Sequence, residues 1–120
     1  MLKLESKTGK VPQPAEKIFT FLSDFNNFSH LIPRDKIKDW QATSDTCKFS
    51  LSGMGDVGFK IIEKEPCKLI KVTGYDTKFV FMLWIQLKVA AENDSRIKFT
   101  LHAELNPFIV NYFRGKIKKS

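Results

Sequence analysis

Apolar and polar residues alternate along most of this chain with a period of two, which is typical of half-buried β-strands. The alternation is clearest near the end of the chain, where Ile97, Phe99 and Leu101 are separated by polar residues. Short groups of turn residues separate such segments, which favours antiparallel neighbours joined by tight connections. We predict strands at residues Leu2–Val11, Ile37–Thr43, Thr46–Ser52, Asp56–Glu65, Lys68–Tyr75, Phe79–Ala91 and Arg96–Leu105.

The pattern changes to a helical period after the first predicted strand. Pro14 suits the first turn of a helix, and apolar residues then recur at helical spacing as far as Asp24. Asn26 or Asn27 is expected to cap a second, short helix over Phe28–Ile32. Two short helices therefore follow the first strand.

A third helix is predicted at the end of the chain. Asn106 suits an N-cap and Pro107 a first turn, and one side of the helix carries Ile109, Tyr112 or Phe113, and Lys116 or Ile117. This is the only long element available to cover the apolar face of a sheet. We therefore predict a single α+β domain over residues 1–120, in which a curved antiparallel sheet of six or seven strands surrounds a C-terminal helix.

Composition and charge place the chain among ordinary globular proteins. The 120 residues are 42% hydrophobic and include 11 Phe, which must enter a core, a cavity lining or an interface. The net charge of +7 comes mostly from scattered lysines, which indicates a solvated surface. Because arginine is scarce, no nucleic-acid partner is predicted.

The basic C-terminal cluster has two interpretations. It either contacts anionic lipid or nucleic acid or, more simply, favours the C-terminal dipole of the last helix. Its members are Arg114, Lys116, Lys118 and Lys119.

The sequence predicts a cytoplasmic protein with no transmembrane segment. The first residues alternate and contain no apolar run, so no signal peptide is expected. The longest apolar run, Phe79–Ile85, has seven residues, whereas a membrane-spanning helix needs about twenty. Cys47 and Cys67 lack CxxC spacing, which favours two reduced thiols over a disulfide or a metal site.

Large apolar side chains occupy the inward positions of the predicted strands. They either fill a core or line a cavity, and we favour a cavity because long curved strands around one helix leave space between them. The Tyr112 hydroxyl either donates a hydrogen bond into that space or reaches solvent. The predicted lining residues are Phe49, Leu51, Phe59, Ile61, Phe81, Leu83, Phe99, Leu101, Ile109 and Tyr112.

The longest predicted strand is apolar on both faces in its first half. Val80, Met82 and Trp84 share the second face. This face is either an exposed surface for self-association, which would make a homodimer, or is covered by a loop or a short helix.

No catalytic, metal or cofactor motif is recognised, so no catalytic residue, metal ligand or cofactor is predicted. His102 falls on the polar face of its strand, and His30 lies in the second helix, where capping or surface roles are favoured. Glu63 and Glu65 would need burial to act as an acid/base pair. Gly53–Gly55 fits a tight turn between two strands.

Several segments, taken in order, carry a family resemblance. They are Pro14–Asp24, Phe25–Phe28, Leu31–Pro33, Gly53–Gly55 and Leu105–Pro107. Together they resemble the START-like, or SRPBCC, helix-grip superfamily, and in particular its small bacterial polyketide cyclase/dehydrase-type members. The resemblance covers essentially the whole chain.

The resemblance implies a β-α-α-β6-α helix-grip fold around a hydrophobic cavity. The implied partner is a small apolar molecule such as a lipid, sterol or polyketide, and we favour a binding module without catalysis. A polyketide cyclase/dehydrase-type enzyme and a protein-interaction domain are the alternatives, because the superfamily includes carriers, cyclases and regulators. Its members carry a longer terminal helix, so we expect the helix here to be short or truncated.

Overall fold

An antiparallel sheet makes up most of the computed structural model, which describes residues 2–53 and 55–104. One α-helix, α1, and one 3₁₀ helix lie between the second and third strands. The strands are β1 (Leu2–Glu5), β2 (Gly9–Val11), β3 (Ile37–Ala42), β4 (Thr46–Leu51), β5 (Gly55–Glu65), β6 (Leu69–Gly74), β7 (Phe81–Ala91) and β8 (Asp94–Ala103), α1 is Ala15–Leu22, and the 3₁₀ helix is Phe25–Phe28.

The strand order is β1-β8-β7-β6-β5-β4-β3, with β2 also paired to β8, and every pairing is antiparallel. Strands β3 to β8 therefore form a meander, which confirms the six strands predicted after the helices. Tight connections explain this order, because a short link can only bring the chain back beside the strand it has just left.

The first predicted strand, Leu2–Val11, is divided in two, so the described sheet has eight strands. Glu5 pairs with Thr100 and Gly9 with Ile97, which leaves three residues, 6–8, opposite two, 98 and 99. The extra residue interrupts the ladder. Ser6 bridges the interruption: its backbone N–H donates to the Phe99 carbonyl at 2.9 Å, and its hydroxyl accepts from the Phe99 N–H at 2.8 Å.

Helix α1 forms as predicted, but the second helix is earlier and shorter than predicted. A 3₁₀ helix occupies Phe25–Phe28, whereas the sequence pattern indicated Phe28–Ile32. The Asp24 carboxylate accepts from the Asn26 N–H at 2.9 Å and so caps the 3₁₀ helix. The Phe25 N–H donates to the Ser44 carbonyl at 3.1 Å, which ties this helix to the β3–β4 turn.

The predicted N-cap role of Asn26 and Asn27 is therefore wrong. The Asn27 side chain instead donates to the Phe21 carbonyl at 3.0 Å, near the end of α1. This bond satisfies a carbonyl that the helix itself leaves without a partner. The apolar spacing could not reveal it, because the bond depends on the chain folding back after Ser23.

The main core lies on one face of the sheet, beneath α1 and the 3₁₀ helix. Cross-strand register brings apolar residues of four strands to this face, as in the pair Val72 and Ile61. Ile70 is fully buried, and Phe19 and Leu22 of α1 pack against the same cluster. The buried members are Phe25, Cys47, Ile61, Ile70, Val72 and Ile85. We call this side the inner face and the opposite side the outer face.

The predicted terminal helix, residues 107–120, lies outside the described residues. The enclosure of that helix by the sheet therefore stays a prediction. The inner face, by contrast, is described along every strand.

Two groups of glycines control the turns and the close approach of strands. Gly53 and Gly55 have φ values of 85° and 95°, which confirms the predicted tight turn. Gly58 lies within β5, where an added Cβ would stand 1.9 Å from the Tyr75 carbonyl oxygen. The Tyr75 N–H donates to the Gly58 carbonyl at 3.0 Å, so the two backbones are held at this separation.

Replacing Gly58 by alanine should force these backbones apart. We expect Gly58→Ala to lower the free energy of unfolding by about 1–3 kcal/mol, as overpacking does in other tightly packed sites. Urea denaturation followed by circular dichroism measures the change.

Gly9→Ala is the matched control. The added Cβ would be 3.4 Å from the Ile97 side chain, which is an ordinary contact. Replacing a strand glycine by alanine raises the free energy of unfolding by about 0.5–1 kcal/mol. Equal destabilisation by both substitutions would contradict the role assigned to Gly58.

Candidate ligand-binding face

Aromatic rings fill the inner face at the β3–β5 end of the sheet. The ring centroids of Trp40 and Phe49 are 5.8 Å apart, those of Phe49 and Phe59 5.7 Å, and those of Phe59 and Phe81 5.4 Å. The last two contacts are edge-to-face, the arrangement that the charge distribution of aromatic rings favours. Phe49, Phe59 and Phe81, three predicted lining residues, are thus brought together and contact one another.

The 3₁₀ helix closes this aromatic cluster from the side. The Phe25 ring lies 6.4 Å from that of Phe59 and 6.3 Å from that of Phe28. The Trp40 indole N–H donates to the Ser29 hydroxyl at 2.9 Å, which satisfies its polar atom while its ring packs on the sheet. Sequence reasoning found Trp40 on a strand but did not include it among the lining residues.

The inner face is less covered at the β7–β8–β1 end. Leu4, Leu101 and Leu83 lie directly opposite one another in successive strands. Phe99 shares their face, because it pairs with the buried Ile85. Leu4 is 52% exposed and Phe99 39% exposed, and Leu83 and Leu101 are half-buried. We call Leu4, Leu83, Phe99 and Leu101 the leucine row.

The remaining predicted lining residues lie in different parts of the chain. Ile61 is buried in the main core, and Leu51 is half-buried against a smaller cluster of Val57 and Phe79. Ile109 and Tyr112 lie outside the described residues.

An open cleft of about 650 Å³ lies at one end of the sheet, between the β4–β5 turn and the β6–β7 loop. The Asp56 carboxylate on its rim accepts from the Ser50 hydroxyl at 2.8 Å, and the Asp56 carbonyl accepts from the Thr77 hydroxyl at 2.9 Å. Sequence reasoning missed the cleft, because the two loops that form it are twenty residues apart in the chain. Its described lining is Gly53, Gly55, Asp56, Asp76, Thr77, Lys78 and Phe79.

Comparison with known proteins identifies the fold of the chain. No family model matches the chain, and no curated protein matches it significantly. Among solved structures, a START superfamily protein from Mycobacterium smegmatis is 14% identical over 98% of this chain and 89% of its own, with a TM-score of 0.66. The chain has a START-like fold.

Two further structures share this START-like fold at low identity. A norcoclaurine synthase point mutant from Thalictrum, in complex with a transition-state analogue, is 14% identical over 90% of this chain and 80% of its own, with a TM-score of 0.68. The Aha1 dimer from Colwellia psychrerythraea is 19% identical over 92% of this chain and 84% of its own, with a TM-score of 0.66. The START-like fold that the resemblance implies is therefore confirmed.

The face predicted for self-association carries polar groups in this START-like sheet. Val80 is 56% exposed, but Met82 and Trp84 are half-buried on the outer face. The His102 ring packs edge-on at 4.8 Å from Trp84, and the Lys71 ammonium lies 5.8 Å from the Trp84 ring centroid. Within residues 2–53 and 55–104, side chains of neighbouring strands thus pack against Trp84.

The other candidate acid/base residues lie at the surface. His30 is exposed, and Glu63 and Glu65 are exposed at the end of β5. Within residues 2–53 and 55–104, no three His, Cys, Asp or Glu side chains are grouped closely enough to hold a metal ion. In that same part of the chain, no helix combines the length and the apolar character needed to cross a membrane.

An ion pair fixes the β6–β7 loop at the rim of the cleft. Lys48 of β4 donates a hydrogen bond to the Asp76 carboxylate, and both side chains are solvent-exposed. This hydrogen bond, supported by the opposite charges, raises the pKa of Lys48 and lowers the pKa of Asp76. Both groups are therefore charged at neutral pH.

Cys47 is buried in the core, where its thiol is shielded from water. Burial raises the pKa of Cys47 to about 11, while a hydrogen bond from the Phe59 backbone opposes the rise. The folded protein therefore keeps the thiol protonated at pH values at which an unfolded chain, with a thiol pKa of about 9, ionises it.

This difference predicts a loss of stability at alkaline pH. Because the folded-state pKa is raised, the stabilisation is complete below about pH 9 and is lost as the pH rises towards 11, by roughly 2–3 kcal/mol. Urea unfolding at pH 8 to 11 gives the free energy of unfolding of the wild type and of Cys47→Ala. Subtracting one from the other removes the contribution of the other titrating groups. Cys67→Ala should keep the wild-type slope, and the same slope in Cys47→Ala would refute the assignment.

Proposed function

We propose that this START-like domain binds a small apolar molecule, such as a lipid, sterol or polyketide, without catalysing its conversion. The site is the inner face along the leucine row, between the sheet and the C-terminal segment. The observation that carries the proposal is the uneven cover of that face. Half-buried aromatic rings in mutual contact occupy one end, whereas Leu4 and Phe99 of the leucine row are exposed at the other end.

The physical reason is the cost of leaving apolar surface in water. Covering apolar area contributes about 25 cal/mol per Å² before ordering costs are subtracted. An apolar ligand laid along Leu83, Phe99 and Leu101 removes water from its own surface and from theirs. The aromatic cluster beside it supplies a rigid wall, because its rings already pack against one another.

The cleft at the β4–β5 turn is the proposed entrance. Its inner wall includes Phe79, which is 5% exposed and belongs to the smaller apolar cluster. The chain leaves β8 at the same end, since the Glu104 N–H donates to the Val80 carbonyl at 2.9 Å. Asp56, Asp76 and Lys78 line the cleft, so a ligand with one polar end is favoured there.

Residues of the C-terminal segment complete the proposed site. Ile109 would supply apolar contact, and the Tyr112 hydroxyl would donate to a polar end of the ligand. The predicted lining residues of the sheet have two proposed roles. Leu83, Phe99 and Leu101 contact the ligand, and the others form the floor of the site, which is the packed surface beside the ligand. The floor residues are Phe49, Leu51, Phe59, Ile61 and Phe81.

Mass spectrometry of molecules released from natively purified protein tests the proposal directly. We expect an apolar compound at a fixed ratio to the protein. Oleic acid, cholesterol and an anthraquinone polyketide then serve as probes in thermal-shift and calorimetric titrations. If no compound is released and none of the three probes binds in a saturable way, the proposal is wrong. If a released compound is chemically altered on incubation with the protein, the protein is an enzyme instead.

Leu101→Ala should weaken binding of whichever probe binds the wild type. Truncation removes about 1–2 kcal/mol of apolar contact, so we expect the dissociation constant to rise about tenfold. Val89→Ala is the matched control, because Val89 is 58% exposed at the far end of β7. Equal affinities in the two variants would place the ligand elsewhere.

A further inference from the structure

Three cationic residues stand side by side on the outer face, at the β2–β8–β7 end of the sheet. Lys10 pairs directly with Arg96, and Arg96 pairs directly with Lys88. Neighbouring strands are about 4.8 Å apart, so the row spans about 10 Å. Lys98 lies two residues along β8 from Arg96 and therefore projects from the same face. We call Lys10, Lys88, Arg96 and Lys98 the cationic row.

This arrangement opposes folding. Like charges directly opposite each other in a sheet destabilise it, whereas opposite charges would stabilise the same positions. The sheet holds two such contacts in succession, because Arg96 has a cationic neighbour on each side. Scattered surface lysines avoid this cost, so the row requires a separate explanation.

Carboxylates compensate only part of the charge. Arg96 pairs with Asp94 at 2.5 Å, and Lys98 lies 3.4 Å from Glu5. Lys10 and Lys88 are exposed and form no ion pair with any residue in ranges 2–53 and 55–104. Four cations therefore face two carboxylates, which leaves a local excess of two positive charges.

An open groove of about 370 Å³ runs beside the row. Three of the four cationic residues line it, together with the hydrogen-bonding side chains of Thr8 and Gln86. Thr8 belongs to the three-residue segment that interrupts the pairing of the first strand with β8. The full described lining is Thr8, Gln86, Leu87, Lys88, Arg96, Ile97 and Lys98.

We propose that this groove binds the phosphate group of a phosphate-bearing ligand. A phosphate offers its oxygens as acceptors to the three cationic side chains that line the groove, whereas a carboxylate has only two oxygens. The Arg96 guanidinium donates to Asp94 and to the Ser95 carbonyl through one nitrogen, which leaves its other N–H groups for a phosphate oxygen. Lys88 and Lys98 supply ammonium donors, and Thr8 supplies a hydroxyl.

The phosphate has two chemical sources, a lipid headgroup or a free phosphate compound. Either places the same group among the same donors. This site lies on the outer face and is independent of the apolar site proposed on the inner face, so each proposal is tested without the other.

Titration with inorganic phosphate at constant ionic strength tests the groove. We expect saturable shifts of the backbone amide resonances of Thr8, Gln86, Lys88 and Lys98, and a saturable rise in melting temperature. Lys88→Gln should raise the dissociation constant at least about tenfold, because it removes a charge-assisted hydrogen bond. Lys38→Gln, which removes the same charge from exposed β3 at the other edge of the sheet, should leave it unchanged.

Without phosphate, Lys88→Gln should raise the melting temperature rather than lower it. Because Lys88→Gln relieves repulsion from Arg96, its melting temperature should exceed that of the wild type in chloride buffer and fall below it in saturating phosphate. A purely structural role for Lys88 would not reverse the order of the two proteins.

Vesicles and a soluble phosphate ester distinguish the two sources. Sedimentation with phosphatidic acid vesicles, but not with phosphatidylcholine vesicles, that is lost in Lys88→Gln identifies a lipid headgroup. Saturable binding of glycerol 3-phosphate or inorganic phosphate without sedimentation identifies a free compound. If neither probe binds, or if Lys88→Gln and Lys38→Gln bind equally well, the groove is not a phosphate site.

Discussion

The structure depends on the burial of one apolar face of a single antiparallel sheet. Ile70 and Cys47, which are almost fully buried, lie at the centre of that face, and the rings of Phe25 and Phe59 close over it. Burial of this kind is the main favourable contribution to folding, and it acts only if the register of every strand places its apolar residues on the same side. The same burial holds the Cys47 thiol in its protonated form.

Cover of the inner face is uneven, and this unevenness is the basis of the proposed function. The 3₁₀ helix and α1 bring aromatic and aliphatic side chains onto the main core, where Phe25 lies close to Phe28 and to Phe59. In the leucine row, by contrast, Leu4 and Phe99 remain exposed. A START-like fold with such a face offers apolar surface that a small molecule can cover, while the packed end keeps the sheet rigid.

The outer face of the same sheet differs from the inner face in polarity and charge. Its residues are mostly polar, and Lys10, Arg96 and Lys88 meet there across three strands. Repulsion between them weakens the sheet slightly, whereas the apolar inner face holds the three strands together. The two proposed sites therefore lie on opposite faces of one sheet, because successive residues of a strand point to opposite faces.

The sequence by itself determined the strands after the helices, α1 and the turn at Gly53 and Gly55, because these depend on local periodicity and on the conformational freedom of glycine. It also identified Phe49, Phe59 and Leu101 as inner-face residues. Only the tertiary structure decided which of them pack together and which stay half-exposed. The divided first strand, the Asn27 hydrogen bond, the cleft and the cationic row all depend on pairings between segments distant in the chain, and no local pattern carries that register.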